Sequence, residues 1–187
     1  ALKQGGVDVL WIETLSSVEE FNAAVEAAST VGLPICATMT FDTAGRSMMG
    51  VKPEAFAALA QQADIAAFGA NCGVGPAELM HSVINFSPMQ TTKYVIAKGN
   101  CGIPIYKDGK IHYHGSPELM ADYAIMARNA GAQIIGGCCG TSPEHIKAMA
   151  HALAMEPKKP FSQVELDQKL GKAWDGLQLN QDEHALQ

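Results

Sequence analysis

Five short apolar runs punctuate the chain: Val7–Ile12, Pro34–Met39, Ile65–Gly69, Tyr94–Ala97 and Gln133–Ile135. Their apolar positions are nearly continuous rather than alternating, which is the pattern of strands covered on both faces. Helix-start chemistry fills the intervals. Ser17 is followed three residues later by Glu20, predicting a capping box. Pro53, Pro76, Pro117 and Pro143 stand where a first helical residue belongs, and Ser116 and Ser142 supply N-caps for the last two. A strand followed by a helix is a βα unit, whose helix returns the chain for another parallel strand. Five such units are predicted.

Five parallel units fit either an open doubly wound sheet or a section of a (β/α)8 barrel. A barrel takes about 250 residues, so five-eighths of one is roughly 156, and the periodic pattern stops near Met155. Ala1 is not an initiator Met, and Leu2–Gly6 reads as the end of a helix, so an N-terminally truncated chain is expected. The edge strands of a five-strand section would lack the neighbours that close a barrel. From Glu156 the composition turns polar, and Val164, Leu166, Leu170 and Trp174 predict one amphipathic helix. The expected division is a barrel portion, 1–155, and a tail, 156–187, docked on this chain or linking it into a homo-oligomer.

At 48% hydrophobic and 17% charged residues the composition excludes a disordered chain. A net charge of -6 and the lack of any basic run disfavour nucleic acid and anionic membranes as partners. No apolar run approaches the roughly 18 residues of a membrane span, and Ala1–Gly6 carries no signal-peptide core. A soluble, cytoplasmic protein is expected. The five cysteines form an odd set with two adjacent, a poor framework for disulfides.

Three of those cysteines fall where strands end: Cys72 in Gly69–Gly73, and the pair Cys138 and Cys139 within Gly136–Gly140. Ligands of parallel α/β folds bind beyond the carboxyl ends of the strands. Flanking glycines let the backbone turn so that both sulfurs of the pair face one point. Three thiolates with one vacancy make the donor set of a catalytic zinc site, against the competing reading of small buried side chains. His112–His114 and Lys107–Lys110 predict a hairpin with an Asp-Gly turn. His81, His145 and His151 are expected on helix surfaces, Cys36 and Cys101 in core or loop, and Lys98 as a local charge. Asn71 and Asn100 are read equally well as turn residues.

Gly-Ala-Asn-Cys at 69–72 and Gly-Gly-Cys-Cys-Gly-Thr-Ser-Pro-Glu-His-Ile at 136–146 resemble the two zinc-binding motifs of the homocysteine S-methyltransferases. Val7–Thr14 resembles that family's substrate-binding strand, Gly99–Pro104 its Asn-containing loop, and Phe41–Gly50 its loop after strand five. The resemblance covers about residues 1–155 and implies units four to eight of a (β/α)8 barrel. It implies that Cys72, Cys138 and Cys139 hold zinc and that the sulfur of homocysteine takes the fourth place. It further implies that Glu13 accepts hydrogen bonds from the substrate ammonium, helped by Asn100, and that the product is methionine. Glu13, Cys72 and Cys138 would then come from alternate strands, which share an interior layer. The loops and tail length resemble the bacterial stand-alone betaine-using members, so betaine is the expected donor. Thr14 stands where the animal betaine enzymes carry an aromatic cage residue, and Glu-Thr also occurs in cobalamin-dependent methionine synthases. A corrinoid or sulfonium donor therefore stays open, as does a non-catalytic zinc-binding fragment.

Overall fold

Each apolar run becomes a strand, and the strands pair in the order of the sequence. The structure is a computed structural model and describes residues 1–86, 91–102 and 104–174. β1 (Leu10–Leu15), β2 (Ile35–Met39), β3 (Ala67–Cys72), β4 (Tyr94–Gly99) and β7 (Ile134–Gly137) form one parallel sheet in the order β1-β2-β3-β4-β7. That order separates the two architectures the periodicity left open. A doubly wound sheet reverses direction at a switch point, whereas a barrel wall adds each new strand on the same side. The intervening helices are α1 (Val18–Ser29), α2 (Pro53–Gln62), α3 (Pro76–Phe86) and α4 (Pro117–Asn129), with α5 (Pro143–Met155) following β7. Right-handed crossovers between sequential strands carry such helices to a single face of the sheet.

The two faces of the sheet differ in kind. Ile35, Ala37, Met39, Phe68, Ala70, Val95 and Ala97 join the main core with Phe21, Phe56, Met80, Phe86, Met120 and Tyr123. On the opposite face a smaller cluster comprises Cys36, Ala67 and Ile96, with Ile134 packed against it. Cross-strand partners Thr38, Gly69, Ile96 and Ile134 form one row of this face, and Asn71, Lys98 and Gly136 form the next row towards the carboxyl ends. This face corresponds to the inside of a barrel wall.

Several strand boundaries move from their predicted positions. β1 starts at Leu10 rather than Val7, because the Val7 N–H turns back to the Leu2 carbonyl and the ladder opens only with Leu10 N–H to Pro34 O. It runs on to Leu15, which places Glu13 inside the strand instead of at its end. β3 starts at Ala67, since the Ile65 N–H is taken by Ala63 O in a local turn.

The helix starts follow the capping chemistry with one shift. Ser17 accepts from the Glu20 N–H, but the Glu20 carboxylate reaches past it to the Ser16 N–H at 2.8 Å. Ser116 accepts from the Leu119 N–H as expected. β5 (Pro104–Lys107) and β6 (Lys110–Tyr113) form the predicted hairpin, its turn residues Asp108 and Gly109 both at positive φ. Ile103, in the resembling loop, lies outside the described residues.

The tail helix α6 (Gln163–Leu170) is shorter than predicted, ending at Gly171 with φ 82°. Trp174 therefore lies beyond it; its backbone N–H donates to the Glu78 carboxylate, and its ring meets His81 edge-on at 4.8 Å. Leu166 is buried in the main core, and Lys169 pairs with Asp122 of α4, so the described part of the tail docks on its own chain. Among the described residues no helix is long and apolar enough to cross a membrane.

Gly69 shows how closely the wall is built: a Cβ there would lie 1.9 Å from the Ile96 carbonyl oxygen of the neighbouring strand. Because the obstacle is backbone, Gly69→Ala is expected to destabilise the protein by about 3 kcal/mol through overpacking. Urea unfolding measures this, and an unchanged midpoint would contradict the close approach.

Candidate metal centre

Strict alternation along β3 places Asn71 on the interior face and would send Cys72 to the helix side. The backbone breaks that alternation: Cys72 has φ 61° and Gly73 φ 84°, both left-handed. The Cys72 sulfur thereby comes to 3.9 Å from that of Cys139, and the sulfurs of Cys72, Cys138 and Cys139 all lie within 4.8 Å of one another. Tetrahedral zinc with Zn–S bonds of about 2.3 Å separates its sulfurs by about 3.8 Å. The three donors fit such an ion without rearrangement of the fold.

Two buried carboxamides fix the arrangement. Asn100 donates through Nδ2 to the Gly73 carbonyl at 2.5 Å and accepts through Oδ1 from the Cys139 N–H at 3.0 Å. Asn71 accepts from the Thr14 N–H and the Thr38 hydroxyl at 2.8 and 2.7 Å. Its Nδ2 donates to the Thr14 hydroxyl at 2.8 Å and lies 3.9 Å from the Cys138 sulfur. These bonds hold Thr14 at φ 66°, an unfavourable backbone for a β-branched residue, where the β1 ladder slips between Ile12 and Leu15.

The turn carrying the cysteine pair is held from behind. Cys138 N–H donates to Gly99 O at 2.8 Å, and Cys101 N–H donates to Cys139 O at 2.9 Å. Gly140 has φ 76°, and a Cβ there would lie 2.3 Å from the Tyr113 ring. His145 is not the surface residue expected. Its Nδ1 accepts from the Ser142 N–H at 3.1 Å, which leaves Nε2 protonated and facing Gly115 O at 3.1 Å and the Cys101 sulfur at 3.0 Å.

Three thiols this close cannot all ionise without a cation. Hydrogen bonding by Cys72, with help from Asn71 and the Cys139 N–H, pulls the Cys138 thiol down to about 5. Cys72, the donor in that bond and partly desolvated, is pushed well above the usual thiol range. A divalent ion would relieve this competition by taking all three as thiolates.

The expected residues thus divide. Cys72, Cys138 and Cys139 converge. Glu13 stands apart from them, its carboxylate 2.5 Å from the Lys98 ammonium, although its neighbour Thr14 connects through Asn71 to the Cys138 side. Asn100 bonds backbone at both ends of its amide, Gly73 O and the Cys139 N–H, and so clamps the two cysteine turns together. The parts played by Asn71, Tyr113 and His145 are not apparent from the sequence. Strand parity carries the one available signal for Asn71, a polar residue on an interior face beside Cys72.

Residues 1–153 match the family described as homocysteine S-methyltransferase, and the chain belongs to that family. Among solved structures it is similar to the homocysteine methyltransferase MmuM from Escherichia coli. The apo form gives a TM-score of 0.66 at 24% identity, over 81% of this chain and 51% of that one. The metallated form gives 0.65 at 24% identity, over 80% of this chain and 46% of that one. The chain therefore spans about half the length of these structures, and the likeness identifies its fold as part of a TIM-type barrel.

Two outcomes follow from this geometry. Cobalt(II) titration should show one ion per chain with sulfur-to-metal charge-transfer absorption, and Cys138→Ala should abolish that band; its persistence would remove Cys138 from the donor set. Asn71→Ala strands the Thr14 N–H and the Thr38 hydroxyl, so thermal unfolding should register a loss of about 2 to 4 kcal/mol, together with weaker metal binding.

Proposed function

We propose that this chain carries the zinc- and homocysteine-binding half of an enzyme that methylates the thiol of homocysteine to give methionine. The observation that supports it most is the convergence of three thiols at the carboxyl ends of barrel strands, in a chain of this family. Cys72, Cys138 and Cys139 would hold the zinc. Bound there, zinc supplies the Lewis acidity that keeps a fourth, substrate thiol deprotonated at neutral pH.

The remaining steps belong to the chain's own groups. Asn71 and Asn100 keep the two cysteine turns in register, so the donors need no reorganisation when the substrate arrives. Glu13 accepts hydrogen bonds from the substrate ammonium, a charge-assisted contact between a carboxylate and a cation. Betaine is the proposed donor. The homocysteine sulfur forms the new S–CH3 bond as a betaine N–CH3 bond breaks, and the electron pair leaves with nitrogen to give a tertiary amine. Trp11, on the same face as Glu13, presents an aromatic ring that already carries a cation, the Lys98 ammonium, 5.2 Å from its centroid.

Methionine formation from homocysteine, assayed with betaine, a sulfonium and a methylcorrinoid in turn, tests this reading. Turnover with betaine is expected, and Cys72→Ala should abolish it. Activity confined to another donor would reassign the donor and leave the acceptor in place, whereas no methionine with any donor would refute the function. Glu13→Gln is expected to retain the metal and to weaken homocysteine binding by about 1.5 to 3 kcal/mol. Unchanged affinity in calorimetry would assign Glu13 a structural role.

A further inference from the structure

Across the five strands of the sheet only two residues are charged, Glu13 on β1 and Lys98 on β4. Both belong to the interior face, and they meet there although β2 and β3 lie between their strands. Lys98 pairs in register with Asn71 on one side and Gly136 on the other. Asn71 reaches towards Cys138, and Gly136 opens the turn that carries Cys138 and Cys139. Gly136 offers no side chain to the Lys98 stem; a Cβ there would lie 3.6 Å from its Cγ. The ammonium sits 2.5 Å from the Glu13 carboxylate, and the two side chains, Lys98 and Glu13, are 23% and 41% exposed.

We infer that Glu13 and Lys98 together form a receptor for both charges of a free α-amino acid, with Lys98 taking the α-carboxylate. The inference rests on the homocysteine reading and names a specificity residue for it. An ammonium arriving at Glu13 displaces the Lys98 ammonium, which then has no carboxylate in its own sheet. A ligand carrying only an ammonium leaves Lys98 uncompensated, and one carrying only a carboxylate competes with Glu13 for Lys98 and leaves Glu13 unpaired. A zwitterion satisfies both at once, giving four charges of alternating sign. The flexible four-carbon stem and three rotatable donors of lysine suit this exchange of partners. In the absence of ligand the pair satisfies itself, so neither charge is left bare on the apolar face.

Three thiols separate the charges while keeping the same distance to sulfur: homocysteine, 3-mercaptopropylamine without the carboxylate, and 4-mercaptobutyrate without the ammonium. Their affinities for the metal-loaded protein are measured by calorimetry, and by displacement of the cobalt(II) thiolate spectrum. The unsubstituted protein should prefer homocysteine to either analogue by at least about tenfold, equivalent to 1.4 kcal/mol. Lys98→Met should weaken homocysteine and 4-mercaptobutyrate by at least that factor while 3-mercaptopropylamine binds equally well or more tightly. Lys98→Arg should restore the preference for a carboxylate.

Tighter homocysteine binding by Lys98→Met would show that Lys98 only competes for Glu13, and would overturn the inference. A uniform loss for all three thiols would do the same by showing a structural role. Should Lys98→Met fail to fold, the unsubstituted protein still decides: equal affinity for homocysteine and 3-mercaptopropylamine refutes the carboxylate contact while the homocysteine reading stands. If none of the three thiols binds, that reading falls and the inference falls with it.

Discussion

One side-chain amide, that of Asn100, joins the two turns on which the thiols are carried. Its nitrogen holds the backbone after Cys72, and its oxygen holds the backbone of Cys139. The turns come from units separated by the whole of β4, the hairpin and α4, so local chain geometry alone would not set their spacing. Burial makes the clamp specific, because an amide removed from water loses heavily if either of its bonds is left unmade. Asn71 plays the corresponding part on the other side, joining β1 to the same cluster through Thr14. Left-handed backbone at Thr14 and Cys72 costs about 1 to 3 kcal/mol each, and it persists where these hydrogen bonds over-determine the conformation. Strain and clamp together aim three sulfurs at one point.

Much of this frame is legible in the order of the residues alone. Continuous apolar runs and prolines at helix starts locate the strands and helices, and the glycine-flanked cysteines locate the centre. What escapes is long in range or unusual in local form. The Glu13–Lys98 pair joins residues 85 apart in sequence, and nothing local marks it. His145 occupies the third position of a helix, where a capping box ordinarily carries Glu or Gln, so its ring reads as a surface group although it is held in the turn. Val7 has the apolar character of a strand residue, yet its N–H closes a turn with Leu2 ahead of the ladder.

The sheet also separates stability from chemistry by face. The helix side packs a run of aromatic rings, Phe21, Phe41, Phe56, Phe68 and Phe86, in edge-on and tilted contacts 5.4 to 6.5 Å apart. The interior side carries Thr38, Gly69 and Gly136, the Glu13–Lys98 pair and the Asn71 carboxamide. Trp11, 37% exposed, shares that surface with the apolar side chains of Ile96 and Ile134. Such a division is the ordinary logic of a barrel wall, in which the helix layer stabilises the strands and their carboxyl ends hold the reactive groups.

X-ray absorption at the zinc edge tests the thiol centre most directly, because it counts sulfur neighbours at about 2.3 Å from the ion. Three sulfurs are expected in the zinc-loaded protein, together with a lighter atom, and four after homocysteine is added. A first shell dominated by nitrogen or oxygen, or a sulfur count that homocysteine leaves unchanged, would contradict the role assigned to Cys72, Cys138 and Cys139.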